Sequence, residues 1–339
     1  MSAPYPLLII NTAEGLLQVA VVAASAGVPR LEAWAERRAE SRGAELLAPL
    51  ILEAAAHAGI APASLRGTAA VRGPGGFTGL RLAAATAAGL ARGAGTLTAG
   101  LEYLPLLAAS AMLRGVPADE HHAGEMCAAG GVSAVPPTGI STVPPTGVSA
   151  VPTGKISVVP ANGISTVPTG GPEHARRLWV LVHARKTLLY AQAFDAGGDT
   201  APDCDMRLPA PDGDILLLTP EEAAARIAAE ARQDGPRPEL LGSGVRNHPA
   251  IFAALTEAPG KTGRAAPALL LPAAYDNPAP EALLRAAAYA EWSREDIVPR
   301  YFRPPDAEEN LAAVARALGL DPEAAKARLE HLRASLPQD

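Results

Sequence analysis

The chain has 339 residues, a length that suggests two domains, each long enough to bury a core. Its net charge is −6 and aromatics make up only 4%, which excludes strong nucleic-acid binding by this chain alone: phosphate contacts need clustered Lys and Arg, and exposed bases need stacking partners. No apolar run is long enough to span a bilayer, no signal-peptide pattern opens the chain, and two cysteines, Cys127 and Cys204, make no disulfide framework, so the sequence reads as cytoplasmic.

Residues 6–11, 16–24 and 30–36 read as strands, the first two joined by the turn Asn11-Thr12-Ala13-Glu14-Gly15. A helix is expected over 42–58, ended by Gly59. A strand over 67–72 runs into Gly73-Pro74-Gly75-Gly76-Phe77-Thr78-Gly79-Leu80-Arg81. The glycines of this turn can take φ > 0, and Pro74 fixes its own φ and keeps Gly73 out of helix. The following helix is expected over 78–93, with Thr78 as N-cap and Gly93 at its end, and its N-terminus is a natural place for an anion. A short strand over 95–99 and a helix over 101–114 complete a strand–helix alternation that points to an α/β layered sheet.

Composition changes near residue 117. Residues 131–170 are an internal repeat, GVSAVPPT, GISTVPPT, GVSAVPT, GKISVVPAN, GISTVPT, with proline in every unit and almost no charge. Such a segment cannot bury enough surface to fold alone, and reads as a disordered or polyproline-like loop. A β-helix-like ribbon or a partner-binding tether is the alternative, because Val-Ser-Ala-Val alternates. Order is expected to resume with a hairpin over 178–184 and 187–195. A helix over 220–232 follows, with Thr219 as N-cap, Pro220 at the first helical position and Glu222 completing a capping box. Short strands at 239–242 and 268–271, a helix over 279–292 and a helical, charged tail over 306–335 finish the chain.

Several candidate sites fall away on their chemistry. Asn11 occupies the first strand-turn, where a kinase or ATPase needs a carboxylate for its metal, and amide oxygen is the poorer Mg²⁺ ligand. Glu14 is the only nearby substitute and reads as solvated. His121, His122, Glu125 and Cys127 lie close together but match no standard zinc spacing, so no metal site is expected. Gly242-Ser243-Gly244 lacks the flanking pattern of a nucleophile elbow and reads as a turn after a short strand. No catalytic set emerges. The helix over 42–58 is apolar over more than one core-facing stripe, through Leu46, Leu47, Leu50 and Ile51, and the helix over 78–93 is alanine-rich, with Ala84 and Ala88 among its small residues. Burial within the chain and a helix-on-helix protein interface both fit this pattern.

The glycine turn resembles the GPGSFTGLR loop of the TsaB family, the non-catalytic partner subunit in bacterial threonylcarbamoyladenosine synthesis on tRNA. Leu7–Ala13 resembles that family's first strand, and Glu45–Ile51 its first helix. The hairpin Leu181-Val182-His183-Ala184-Arg185-Lys186 with Tyr190 is similar to its DAR…Y hairpin. Tyr301-Phe302-Arg303-Pro304-Pro305-Asp306-Ala307-Glu308 is similar to its YxRPPDAE motif. The resemblance implies two actin-like (ribonuclease H-like, ASKHA) α/β domains, the second reduced. The parts are then 1–116, a repeat insertion over 117–177, a second domain over 178–305 and a tail over 306–339. It implies a family loop at Gly73, Pro74, Gly75, Gly76, Phe77, Thr78, Gly79 and Arg81, and further motif residues Arg185, Tyr190, Tyr301 and Arg303. It also implies a partner interface on the first domain, at Leu46, Leu47, Leu50, Ile51, Ala84 and Ala88, serving a homodimer or a TsaD-like catalytic subunit. ATP and metal would then belong to partner subunits, TsaD and the ATPase TsaE, with none bound by this chain alone, and tRNA would be met only through the complex. The sequence departs from the family at His183, in place of an aspartate, at Gly76, in place of a serine, and at Gly43-Ala44, in place of His-Ser. The opposing readings are a divergent small-molecule kinase of the same superfold and a metal-dependent peptidase.

Overall fold

The computed structural model describes residues 3–39, 41–114, 156–157, 176–185, 187–196, 208–232, 236–257, 267–302 and 311–335. The chain begins with β1 (Leu7–Asn11), β2 (Leu16–Ser25) and β3 (Val28–Arg38), an antiparallel meander. All five residues of β1 are buried, as a strand covered on both faces requires. Helix α1 (Gly43–His57) leads to β4 (Gly67–Gly73), which pairs parallel to β1. Helix α2 (Phe77–Ala94) then crosses to β5 (Leu97–Glu102), parallel to β4, and α3 (Tyr103–Arg114) follows. From the repeat, β6 (Ile156–Ser157) joins the outer edge of β3 and gives the first sheet its order β5-β4-β1-β2-β3-β6.

The second sheet has the order β11-β10-β7-β8-β9. Its strands are β7 (Arg176–Arg185), β8 (Leu188–Ala196) and β9 (Pro211–Leu218), an antiparallel run, then β10 (Pro238–Leu241), parallel to β7, and β11 (Leu269–Leu270), parallel to β10. Helix α4 (Pro220–Glu230) follows β9, and α5 (Ser243–Asn247) and α6 (Pro249–Thr256) follow β10. Helix α7 (Pro280–Ala288) comes after β11 but packs against α3 and strands of the first sheet. Just beyond it, Ser293 exchanges backbone hydrogen bonds with Thr98 of β5, at 2.8 and 3.0 Å. The two halves are thus tied together by the C-terminal return of the chain within the compact unit Met1–Pro299. A second unit, Arg300–Asp339, contains α8 (Leu311–Ala317) and α9 (Pro322–Ser335), which pack on each other.

This is the α/β, two-sheet actin-like architecture, with the first half the more regular. Local signals explain most boundaries. Gly59, at φ +65°, follows α1, and Thr219 with Glu222 forms the expected capping box of α4 at 2.8 and 3.2 Å. Several boundaries need correction: the strand expected over 95–99 is Leu97–Glu102, and the helix expected over 279–292 ends at Ala288. Helix α2 is capped by Gly76, not Thr78, with no side-chain bond, and it runs on past Gly93 to end at Gly95, whose φ of +68° suits only glycine comfortably. Strand β9 was not legible, because Pro211-Asp212-Gly213-Asp214 has turn composition. Helices α5 and α6 were hidden the same way, behind Gly-Ser-Gly and His248-Pro249.

Candidate functional site

In layered α/β sheets, ligand sites lie beyond the carboxyl ends of the strands. Here those ends are Asn11 of β1, Gly73 of β4, the His183–Arg185 end of β7, and Leu241 of β10 with the turn after it.

The glycine loop is shaped by the turn that follows β1. A Cβ on Gly75 would lie 2.5 Å from the carbonyl oxygen of Ala13, and one on Gly79 would lie 1.9 Å from that of Thr12. Only glycine admits that approach. The Gly76 N–H donates to Ala13 O at 2.7 Å, and the Thr12 hydroxyl donates to Gly79 O at 2.6 Å. The loop therefore holds the β1–β2 turn through its own backbone. Gly73, at φ +138°, and Pro74 are buried, whereas Gly76, Thr78 and Arg81 are exposed. The Arg81 guanidinium lies 3.6 Å from the centre of the Phe77 ring, a cation–π contact that fixes the first helical turn.

Asn11 is buried, and its amide is engaged on both sides. Its Oδ1 accepts from the Ala13 N–H at 3.1 Å, and its Nδ2 donates to Gln18 Oε1 at 2.8 Å. Gln18 in turn donates to Pro278 O at 3.2 Å, so the chain link runs from the first strand to the segment before α7. A side chain used this way serves the fold, tying the first strand to its own turn and to β2.

Glu14 overturns the expectation of a solvated side chain. Its Oε2 accepts from the Tyr103 hydroxyl at 2.9 Å, and its Oε1 accepts from the Ser243 hydroxyl at 2.5 Å. Burial is the main cause that pushes this carboxyl above its ordinary range, and the nearby Asp276 carboxylate adds to it. The two hydroxyl bonds pull the other way. Tyr103 is itself pushed well up, first by burial and then by the Glu14 charge. Ser243 also accepts the His183 backbone N–H at 2.9 Å. It is more than a turn residue: it carries a bond from the second sheet to the first.

The Ser243 turn repeats the logic of the glycine loop. Gly242 sits at φ +109°, and Cβ atoms on Gly242 and Gly244 would lie 2.3 and 2.8 Å from Leu181 O. The Gly242 N–H donates to Asp276 Oδ1 at 2.8 Å. Arg246 Nε donates to Asp276 Oδ2 at 2.9 Å, and the same guanidinium donates to Leu271 O. Beside this turn, the rings of His183 and His248 lie 6.0 Å apart. Among the described residues, His183 Nδ1 and His248 Nε2 are buried without a hydrogen-bond partner. Burial, and then the neighbouring His248, hold His183 below its ordinary pKa, so its neutral form is favoured. Tyr103, Asp276, Arg246 and His248 had no sequence signal, because each is defined by a partner far away in the chain.

Four of the six residues expected at a partner interface pack inside the chain. Leu46, Leu47, Leu50 and Ile51 lie in the core formed with β1, β2 and β3, while Ala84 and Ala88 on α2 are half-buried. A charge at Leu46 or Leu50 would therefore break the fold before it probed an interface. The exposed residues of α1 include Ala44, Ala48, Leu52 and Ala56, one row at a spacing of four with Glu45 and His57 beside it, and Leu52 is 58% exposed. On α2, Ala85 and Gly89 are exposed, with open space above Gly89.

Among the motif residues, Arg185 is half-buried at the end of β7, and Tyr190 is buried in β8 opposite Val182. Tyr301 is exposed in the C-terminal unit. Lys186, Arg303, Cys204 and the group His121, His122, Glu125 and Cys127 lie outside the described residues, as does most of the 131–170 repeat. Among the described residues, no three His, Cys, Asp or Glu side chains gather as a metal site, and no helix is long and apolar enough to cross a membrane. Gly260-Lys261-Thr262, also outside them, ends like a phosphate loop, but Leu255 stands where that loop needs its first glycine.

Residues 37–134, which include α1, the glycine loop, α2 and α3, match the family model described as TsaD, tRNA N6-adenosine threonylcarbamoyltransferase. Among solved structures, YeaZ from Pseudomonas aeruginosa has a TM-score of 0.51 at 18% identity, over 89% of this chain and 100% of that one. The fold is YeaZ-like, and residues 37–134 are similar to the TsaD model. A further structure, of an uncharacterized protein with similarity to peptidase YeaZ from Pseudomonas aeruginosa, reaches 0.48 at 18% identity over the same shares. At this identity the likeness is one of fold. No curated protein matches the chain.

Proposed function

We propose that this chain is a TsaB-like partner subunit of a tRNA threonylcarbamoyltransferase. It pairs through the outer faces of α1 and α2 with a TsaD-type catalytic subunit, or with a second copy of itself. In the complex it supports transfer of a threonylcarbamoyl group to the adenosine beside the anticodon of tRNAs that read codons starting with A. ATP and metal belong to TsaD-type and TsaE-type partners, tRNA is met only through the assembly, and the site of action is the cytoplasm.

One observation carries this reading. At the carboxyl ends of the strands, Asn11, Glu14, Tyr103, Ser243 and Asp276 have each other, Gln18, Arg246 or nearby backbone as partners. A kinase of this superfold needs carboxylate oxygens turned toward a metal and phosphates. The outward rows Ala44-Ala48-Leu52-Ala56 and Ala85-Gly89 are instead small and apolar, and suit close helix-on-helix approach.

The test is co-elution of the purified chain with its host's TsaD-type subunit, for the native sequence and for Leu52→Glu. Leu52 is exposed, so the variant is expected to fold with a stability change within about 0.5 kcal/mol. Loss of the complex in a folded Leu52→Glu protein supports the reading. No complex with the native chain contradicts it.

A hydrolase reading rests on a different observation, the hydrogen bond from the Ser243 hydroxyl to Glu14. Against it, Ser243 Oγ also accepts a backbone N–H, and Glu14 also accepts from Tyr103. Peptide hydrolysis lost in Ser243→Ala would revive it, and ATP turnover by the isolated chain would revive a kinase.

A further inference from the structure

Strand β3 is the edge of the first sheet in every respect but one. Its inner edge pairs with β2 along its whole length, from Val28 to Arg38. Both faces of its middle are covered, with Ala33, Trp34 and Ala35 buried. Its outer edge is met at two positions among the described residues, Trp34 opposite Ser157 and Ala35 opposite Ile156, in antiparallel register. A long open edge is a template for chain addition, so what occupies it matters.

Ile156 and Ser157 open the fourth unit of the repeat. Counted from its β-branched residue, each unit reads β-branched–Ser–x–Val–Pro, beginning at Val132, Ile140, Val148, Ile156 and Ile164. Each step is eight residues, even where the intervening glycine shifts by one. Four residues of strand-compatible composition are followed each time by proline, which has no N–H for the ladder. Each unit thus has the composition of a short strand with a built-in stop, its length suited to pairing with the middle of β3 and not to extending the sheet.

We propose that the outer edge of β3 is a docking site for this repeat, and that its five units are interchangeable sixth strands of which one docks at a time. The resident unit has the advantage in this competition. Ile156-Ser157-Val158-Val159 has three β-branched residues, and Lys155 stands where the other units have a more flexible glycine. Ile140-Ser141-Thr142-Val143 and Ile164-Ser165-Thr166-Val167 also have three and rank next. Val132-Ser133-Ala134-Val135 and Val148-Ser149-Ala150-Val151 have two and rank last. Tether length does not select among them, because loop-closure entropy changes slowly with loop length. The repeat would then shield the edge by β-augmentation from within the chain.

The test is residue-resolved amide hydrogen exchange over Glu32–Arg37 in the full chain, with β1 amides as the control for folding. Ser157→Pro disables only the resident unit, and substitution of Ser133, Ser141, Ser149, Ser157 and Ser165 by proline disables all five. The expected result is at most about three-fold faster exchange at the outward amides of β3 in Ser157→Pro, and about ten-fold or more in the five-proline variant. Unchanged protection in the five-proline variant would overturn docking, and full acceleration by Ser157→Pro alone would overturn interchangeability. Loss of β1 protection in the five-proline variant would make the repeat part of the folding core and also overturn the proposal. So would concentration-dependent dimers that vanish with the five prolines, since the occupant would then be a second copy.

Discussion

The two halves of the molecule each place a glycine turn at the carboxyl end of a strand, and the two turns do different things. In both, glycine is required because a carbonyl oxygen of a neighbouring segment fills the space of a Cβ: Ala13 O and Thr12 O, from the turn after β1, against Gly75 and Gly79, and Leu181 O, from β7, against Gly242 and Gly244. The first turn closes on its own neighbour, with Gly76 N–H on Ala13 O and the Thr12 hydroxyl on Gly79 O. The second reaches outward, with Gly242 N–H on Asp276 and the Ser243 hydroxyl on Glu14 of the other sheet. The shared backbone constraint fixes where the glycines stand. In the second turn, the Ser243 side chain between the glycines adds the bond between sheets.

Breaking the clasp has the largest expected effect. Gly79→Ala would put a methyl group 1.9 Å from a backbone oxygen, where nothing can move cheaply, and should cost on the order of 3 kcal/mol or more in urea unfolding. Gly242→Ala combines a positive φ with a 2.3 Å approach and should cost about 2–3 kcal/mol. Near-neutral results for either would contradict the packing described here.

Smaller changes separate the turns by chemistry. Glu14→Ala leaves the Tyr103 and Ser243 hydroxyls without their acceptor and should cost about 1–3 kcal/mol. Glu14→Gln sharpens the point through pH. A carboxyl whose pKa is raised by folding is held more favourably in its protonated form. Its contribution is full below the unfolded pKa and is lost as pH rises through the folded value. Native protein should therefore lose stability across that window relative to Glu14→Gln, and parallel stability–pH curves would refute the buried carboxyl. The smallest effect is expected from Gly76→Ala, whose Cβ would have its nearest neighbour at 3.5 Å and whose backbone is ordinary. A change within about 0.5 kcal/mol in the same assay would show that Gly76, unlike Gly79, is not a steric requirement.

Much of this fold was legible in the sequence because its signals are local. Apolar runs and glycine stops located the first three strands, α1, β4 and α2 to within about three residues, an ordinary margin for element ends. The Thr219–Glu222 pair announced α4. The candidate site was legible only as two glycine turns. Glu14 looked like a surface residue because its partners, Tyr103 and Ser243, lie 89 and 229 positions away. His248 and Asp276 were silent for the same reason. The apolar helix over 42–58 left burial and interface both open. The structure puts Leu46, Leu47, Leu50 and Ile51 on the inner side and leaves Leu52 outside, a one-residue difference that helical periodicity alone does not resolve when the apolar arc is so wide.

The central claim is that this chain acts through a partner on tRNA, while the polar groups between its sheets serve its own fold. The most direct measurement is the threonylcarbamoyladenosine content of tRNA, by mass spectrometry of digested nucleosides, in host cells depleted of this chain and complemented with native, Leu52→Glu or Ser243→Ala protein. The account predicts loss of the modified nucleoside on depletion, recovery with the native chain and with a stably folded Ser243→Ala, and failure with Leu52→Glu. Unchanged modification on depletion, or a requirement for the Ser243 hydroxyl in a fully folded protein, would contradict it.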